Sequence, residues 1–176
     1  MAARIAASTR GGPHSWITAG LGTLNGPLHG SAGLGVHTLL LDAETRGHDR
    51  AIAHVLEQNG EIPGIGHLLH KSIDPRFDHL ITALRDSGLA PRRLEIVEEM
   101  LARTSDRADS PHNIDFAIGS FTFTASMSPD AGELIFAIAR IVGWVAHGLE
   151  EQLYAPLRFR PIGRYDDRPP RPAPAI

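Results

Sequence analysis

Helix-breaking residues cap the length of every element this chain can form. Gly11-Gly12-Pro13, Asn25-Gly26-Pro27, Asn59-Gly60, Pro63-Gly64, Asp74-Pro75, Pro91 and Ser128-Pro129 interrupt it at short intervals. Proline lacks a backbone donor and fixes φ, and glycine has the widest backbone freedom, so each cluster opens or closes an element. The 18 glycines and 13 prolines make 31 of 176 residues, about 18% against an average near 12%. Yet 42% of residues are hydrophobic, too many for a chain that stays disordered. A chain of this length amounts to roughly one domain and buries about 70% of its extended surface on folding, without a disulfide or metal staple. Short elements joined by many turns are the expectation.

Reading along the chain, Met1–Ser8 looks like the end of a helix stopped by Gly11-Gly12-Pro13. Ser15–Leu24 is a short helix in which Gly20 and Gly22 each cost about 1 kcal/mol relative to alanine but permit close packing, which predicts burial. Ser31–Thr45 follows, with Val36, Leu39 and Leu40 on one face, then Asp49–Gln58 closed by Asn59-Gly60. Glu61–Lys71 holds Pro63, Gly64 and Gly66 and reads as a turn or short hairpin. Asp74-Pro75 opens a helix through Arg85 with proline at its first position, and Pro91–Thr104 repeats that design. Ser105–His112 is polar and reads as a surface loop, and Asn113–Ser126 as a buried helix. Ser128-Pro129 opens the longest helix, to about Leu153. Leu134, Ile138, Ile141, Val145 and Leu149 recur there at helical spacing. Leu134, Ile138 and Ile141 are expected to pack, while Phe136, Arg140, Trp144 and His147 share a face that turns Arg140 to a cleft. The tail from Asp166, with Pro169, Pro170, Pro172 and Pro174, is expected to be extended and mobile. With no strand ladder, internal repeat or heptad seam, the class is all-α.

Several functions are excluded or disfavoured. A net charge of −3 does not suggest a nucleic-acid surface. Zero cysteines exclude disulfides, zinc-thiolate sites and thiol nucleophiles, and fit a reducing, cytoplasmic setting. The densest apolar stretch, Leu134–Ala146, is too short to span a bilayer and contains Arg140, so no membrane partner is expected. The start shows no signal peptide pattern; it is free of acids up to Asp42, loosely like a transit peptide, but Gly11-Gly12-Pro13 breaks that pattern. There is no phosphate-binding GxxxxGK[ST] loop, Gly64-x-Gly66 lacks the third glycine of a dinucleotide fingerprint, and HExxH is absent. His67, His70 and Asp74 are close in sequence, but the Pro63–Gly66 turn argues against one helix face, and no metal is expected. His37, His48, His54, His79 and His147 read as solvated or capping residues.

Three places look more purposeful. In Leu24-Asn25-Gly26-Pro27-Leu28-His29-Gly30 an imidazole lies just before a helix. The amides there lower a His pKa and keep the ring neutral, able to donate an N–H to an oxyanion. In Ile62-Pro63-Gly64-Ile65-Gly66-His67 a second His follows a glycine turn, with Lys71 and Asp74-Pro75-Arg76 close behind. In Asn113-Ile114-Asp115-Phe116 one carboxylate sits between apolar neighbours, where partial burial raises its pKa above about 3.9 and makes it a better base. Each alone is equally a histidine satisfied in a turn, or an Asp capping a helix.

Together these stretches resemble the citrate synthase family, in order and approximate spacing. The segments are Gly26-Pro27-Leu28-His29-Gly30, Gly64-Ile65-Gly66-His67 with Asp74-Pro75-Arg76, and Pro111-His112-Asn113-Ile114-Asp115-Phe116. Ile138-Ala139-Arg140-Ile141-Val142-Gly143-Trp144 and Arg160-Pro161 follow. The resemblance is to the C-terminal half of the family and runs from about Ala2 to Tyr165.

The resemblance implies a multi-helical fold. Residues 1–30 and 128–165 would belong to a large domain, the latter as its C-terminal helix and arm. Residues 31–127 would form a small domain on the CoA side, and 166–176 the tail. It implies an acyltransferase joining acetyl-CoA to oxaloacetate to give citrate and CoA, with CoA as substrate and product and no cofactor bound permanently. Asp115 would remove a methyl proton, His29 would hydrogen-bond the enolate oxygen, and His67 would polarise and protonate the ketone. Arg76, Arg140 and Arg160 match the arginines that grip the dicarboxylate, Arg160 reaching into a partner's site. Lys71 matches a basic residue near a CoA phosphate, and Ile62, Pro63, Gly64, Ile65 and Gly66 the turn that meets the adenine. The implied partners are a second copy, as a homodimer, or a complementing chain with the N-terminal half. The alternatives are a non-catalytic remnant or a lyase that cleaves a citryl thioester. Ser31-Ala32-Gly33 departs from the family's usual Gly-Ala-Asn, and Ile162-Gly163-Arg164-Tyr165 from its usual basic run. The largest departure is length, about half that of the family's enzymes.

Overall fold

The structure, a computed structural model, describes residues 1–25, 32–105, 110–160 and 163. Among them run eight helices: α1 Ala2–Ser8, α2 Pro13–Leu24, α3 Ala32–Arg46, α4 His48–Asn59, α5 Pro75–Asp86, α6 Pro91–Ser105, α7 Ile114–Thr124 and α8 Ala131–Glu151. No strand occurs among the described residues; an isolated antiparallel bridge pairs Ile65 with His112. The class is all-α, and the helix boundaries fall where the breakers stand. Gly60 takes φ 75° at the end of α4 and its N–H bonds the Leu56 carbonyl, a conformation that favours glycine. Asp74 and Asn113 cap α5 and α7 with their side-chain oxygens. The Pro-rich tail from Asp166 lies outside the described residues.

Two hydrophobic clusters divide the helices. One gathers α3 to α7 around Val36, Leu40, Ile52, Met100, Phe116 and Phe123. The other joins α1, α2 and α8 through Ala3, Ala7, Trp16, Leu24, Ala137 and Trp144. They meet where α7 touches α8: a Cβ on Gly132 would stand 3.1 Å from Ile118 Cγ2.

In the second cluster two indoles cross. Trp144 of α8 lies over Gly20 of α2, and Trp16 of α2 lies over Gly148 of α8, each ring in the space a Cβ would take. Trp16 Nε1 donates to the Gly11 carbonyl at 2.7 Å, so its one polar atom is satisfied. The expectation that α2 is buried holds for one face only. Gly20 is buried, but Gly22 is exposed with open space beside it.

The chain's last described segment is tied back to α1. Leu157 N donates to the Ser8 carbonyl at 2.8 Å, and Arg10 reaches the Gln152 and Tyr154 carbonyls at 2.6 and 2.9 Å. Glu151, wholly buried, accepts from Arg158 at 2.5 and 2.6 Å and from Arg4 at 3.4 Å. The Arg158 hydrogen bonds hold its carboxyl below the usual range.

Three expectations are corrected. The apolar side of α8 that was to pack is the exposed one: Leu134 is 61%, Ile138 59%, Val142 74% and Leu149 58% exposed. Trp144 is the residue that packs, with only Ile141 of the expected set beside it. The reason is the Trp–Gly crossing, which turns the Trp144 side of α8 to α2. His37 is not solvated: it is buried, 2.9 Å from Thr122 Oγ1, and burial lowers its pKa. Third, the loop ending at His112 is not wholly on the surface, because His112 is buried.

Gly20→Ala and Gly22→Ala should therefore part company. Alanine gains about 1 kcal/mol of helix propensity at either site. At Gly20 the new methyl displaces an indole, an overpacking cost of about 1–3 kcal/mol. Urea melts should show Gly22→Ala more stable than the parent and Gly20→Ala less so.

Candidate active site

The site is built on one carboxylate. Asp74 precedes Pro75, which cannot donate at the first helical position, so the Asp side chain caps the next amide instead. Its Oδ1 accepts from Arg76 N at 3.1 Å and Arg76 Nε at 2.9 Å. Its Oδ2 accepts from Arg76 Nη2 at 2.7 Å and from Ile114 N, at the start of α7, at 3.0 Å. Asp74 is buried, and hydrogen bonding from Arg76, outweighing burial, pulls its pKa down to about 2. One anion thus fixes a guanidinium and joins the N-termini of α5 and α7.

The turn carrying His67 is stitched to the same helix start. Asn113 N donates to the Gly64 carbonyl at 2.9 Å, Asn113 Nδ2 to the Gly66 carbonyl at 2.6 Å, and Gly66 N to the Pro111 carbonyl at 2.8 Å. Asn113 Oδ1 accepts from Asp115 N and Phe116 N at 2.9 and 3.3 Å. Gly64 has φ 79°, and a Cβ there would collide with Phe116 and Val36. Any other residue would push the turn off α7.

His67 is half-buried. Its Nδ1 accepts from the Leu69 and His70 amides, both at 3.1 Å, so the proton of the neutral ring resides on Nε2. Nε2 lies 3.1 Å from Arg76 Nη2. Two donors thus face one space, where a single acceptor oxygen can bond both. Asp115 is half-buried in the first turn of α7, and its charge acts on Arg76, whose pKa is raised chiefly by the Asp74 hydrogen bond.

Beside these groups opens a cleft of about 680 Å³. It is lined by Arg76 and Leu80 of α5, Ile114 and Ile118 of α7, and Phe136 and Arg140 of α8. Arg140 folds over Gly143, whose missing Cβ leaves room for the guanidinium. The cleft therefore holds Arg76 and Arg140, while His67 and Asp115 are related to it through Arg76. Ile62–Gly66 forms the turn just described, and Lys71 is exposed in the bend that follows. His29 lies outside the described residues. Arg160 is not at the cleft; it lines a separate groove with Ile5 and Ser8 of α1 and with Thr9, which follows it. Among the described residues no three His, Asp or Glu side chains converge as a metal site requires.

Two residues have supporting roles that the sequence does not show. Asp74 is visible as an Asp-Pro helix start, beside His67 and His70, and in the Asp74-Pro75-Arg76 stretch, but its reach to Ile114 is a long-range contact with no local signal. His112 packs at 4.7 Å between ring centroids against Phe116 and 5.5 Å against Phe77, with Nε2 2.8 Å from Thr104 Oγ1. The Thr104 hydroxyl donates to the Met100 carbonyl at 2.7 Å, so it accepts from His112.

The chain matches the citrate synthase C-terminal domain over residues 1–164. It belongs to the citrate synthase family. Citrate synthase 2 of Bacillus subtilis is 34% identical over 159 residues, covering 85% of this chain and 41% of that protein. The 2-methylcitrate synthase 1 of Corynebacterium glutamicum is 30% identical over 168 residues, covering 93% and 44%. The citrate synthase of Thermotoga maritima superposes with a TM-score of 0.74 at 28% identity, covering 99% of this chain and 49% of that one. The citryl-CoA lyase of Hydrogenobacter thermophilus does so at 0.76 and 25%, covering 98% and 71%. The chain spans less than half the length of these two curated relatives.

Burial of His112 predicts an acid limit on stability. Desolvation lowers its pKa to about 4 from 6.5. The unfolded ring binds a proton at a pH where the folded one does not. Stability is therefore full above pH 6.5 and falls through the window down to about 4, by about 1.4 kcal/mol per unit. His37, lowered by burial too, acts in the same direction. The urea midpoint should drop from pH 7 to 5; a flat profile would contradict the burial of these rings. Separately, Asp74→Ala strands the Ile114 and Arg76 amides and should cost about 1–3 kcal/mol in a denaturant titration.

Proposed function

We propose that this chain supplies the dicarboxylate- and acyl-CoA-handling half of a citrate synthase-type acyltransferase, which condenses acetyl-CoA with oxaloacetate to give citrate and CoA. The observation that carries this reading is the shared cleft. Arg76 and Arg140 enter it from α5 and α8, with His67 on Arg76 and Asp115 close enough to act on it. Two guanidiniums suit two carboxylates, since a planar fork pairs both oxygens of each.

In this reading Asp115 takes a proton from the acetyl methyl group while His29 donates an N–H to the thioester oxygen. A carboxylate cannot ionise so weak a carbon acid unless the oxyanion is stabilised at once. The new carbanion attacks the ketone carbon of oxaloacetate, and His67 gives its Nε2 proton to the alkoxide. Water then cleaves the citryl thioester and CoA leaves as the free thiol. Lys71 and the Ile62–Gly66 turn would serve the CoA phosphate and adenine, with CoA a substrate and product. The α3–α7 cluster would act as the small domain, residues 31–127. The α1, α2 and α8 cluster would form part of the large one, 1–30 and 128–165. Arg160 would act in the site of a second copy. The working enzyme would be a homodimer, or this chain with a polypeptide carrying the N-terminal half.

A second reading is a citryl-CoA lyase, since the solved citryl-CoA lyase of Hydrogenobacter thermophilus shares the fold at a TM-score of 0.76. The same groups, run in reverse, cleave citryl-CoA to acetyl-CoA and oxaloacetate.

The test follows free thiol from acetyl-CoA and oxaloacetate, and oxaloacetate from citryl-CoA, for the chain alone and co-expressed with an N-terminal half. Thiol release that needs both substrates is expected, with kcat about 10²–10⁴ lower in Asp115→Ala. An undiminished rate in that variant would remove Asp115 as the base. No turnover in either direction would favour a non-catalytic remnant.

A further inference from the structure

We propose that His79 is a third anion-binding residue of the cleft, placed to meet the carboxylate that a tricarboxylate such as citrate carries and oxaloacetate lacks. The inference rests on the reading above, which gives both arginines a task and leaves this histidine without one. Three polar side chains line the cleft, Arg76, His79 and Arg140, and its other walls are apolar. All three are basic, and no carboxylate is among them. His79 follows Arg76 by three residues on α5, so the two rise from one side of the helix. It is exposed and makes no hydrogen bond or ion pair among the described residues. His37, His54 and His112, by contrast, are each held by a partner: Thr122, Asp42 and Thr104.

Charge decides what such a ring can bind. The charged groups about the cleft are Arg76 and Arg140, with Asp74, which pairs with Arg76, and Asp115, whose charge acts on it. His67 adds a neutral donor beside Arg76. Asp78, the neighbour of His79 in sequence, acts on Arg85. Two cations and two anions balance, so with a neutral His79 the cleft has little net attraction for a trianion. A protonated His79 tips that balance to positive. The two arginines are matched by the two carboxylates of oxaloacetate, each planar fork taking one. Citrate brings a third, and His79 is the polar group of the cleft left to receive it. The apolar walls strengthen the contact, because a charged hydrogen bond gains where less water surrounds it.

The test is calorimetric titration of the full chain with citrate and with malate, a dicarboxylate, for the parent, His79→Gln and His79→Lys, at pH 6 and pH 8. Histidine changes charge across this range while lysine keeps its own. The titration of citrate itself is common to the three proteins and cancels in their ratios. At pH 6 His79→Gln is expected to bind citrate about tenfold more weakly than the parent, with malate unchanged. At pH 8 that gap should narrow, and His79→Lys should hold citrate tightly at both. Parent-like citrate binding by His79→Gln at pH 6, with malate bound by both, overturns the proposal and leaves the role of the arginines intact. Equal weakening of malate and citrate overturns it too, since the ring would then serve any anion. A parent that binds neither ligand removes the carboxylate reading of the cleft and this proposal with it. Circular dichroism checks each variant. Should His79→Gln lose helix, His79→Lys decides: its preference for citrate over malate must vary less between pH 6 and pH 8 than the parent's.

Discussion

The carboxylate of Asp74 is the point on which the site turns. Four hydrogen bonds converge on it from two segments forty residues apart in sequence, and burial leaves it no water to exchange them for. Such an anion persists inside a protein only when its partners match it in charge and geometry. Arg76 supplies the charge and the Ile114 amide closes the set. The position of the guanidinium, the pitch of α5 and the first turn of α7 are therefore not independent. Asn113 adds the third segment, so the turn bearing His67 inherits the same frame.

Much of the fold was legible in the sequence because its helices end for local reasons. Asp74-Pro75, Asn113 and Asn59-Gly60 announce their caps within a few residues, and the structure places helix ends there. What was not legible depends on partners far away in the chain. The spacing of Leu134, Ile138 and Ile141 gives a helix, but spacing cannot say which apolar side meets protein. The two tryptophans decided that, through glycines on the opposite helix. His37 and His112 likewise look polar in sequence and are buried because Thr122 and Thr104 wait for them across the core.

The candidate site divides in the same way. His67 and Asp115 stood out by their local setting and Arg76 and Arg140 through family resemblance; Arg76 and Arg140 line one cleft, and His67 and Asp115 are related to it through Arg76. Asp74 stands in one of the resembling stretches, but nothing local shows that its role is to hold others. His29 is beyond the described residues, and Arg160 stands against α1, away from the rest.

The crossed indoles of α2 and α8 have a consequence for how this sequence can drift. Each ring fills a hollow that exists only because the opposite residue lacks a side chain, so neither member of a pair has freedom of its own. A larger residue at Gly20 becomes acceptable only after Trp144 has given way to something smaller, and the same holds for Gly148 and Trp16. Substitution at these four positions is therefore coupled across the helix pair, and variation should appear there as matched exchanges, not as single ones.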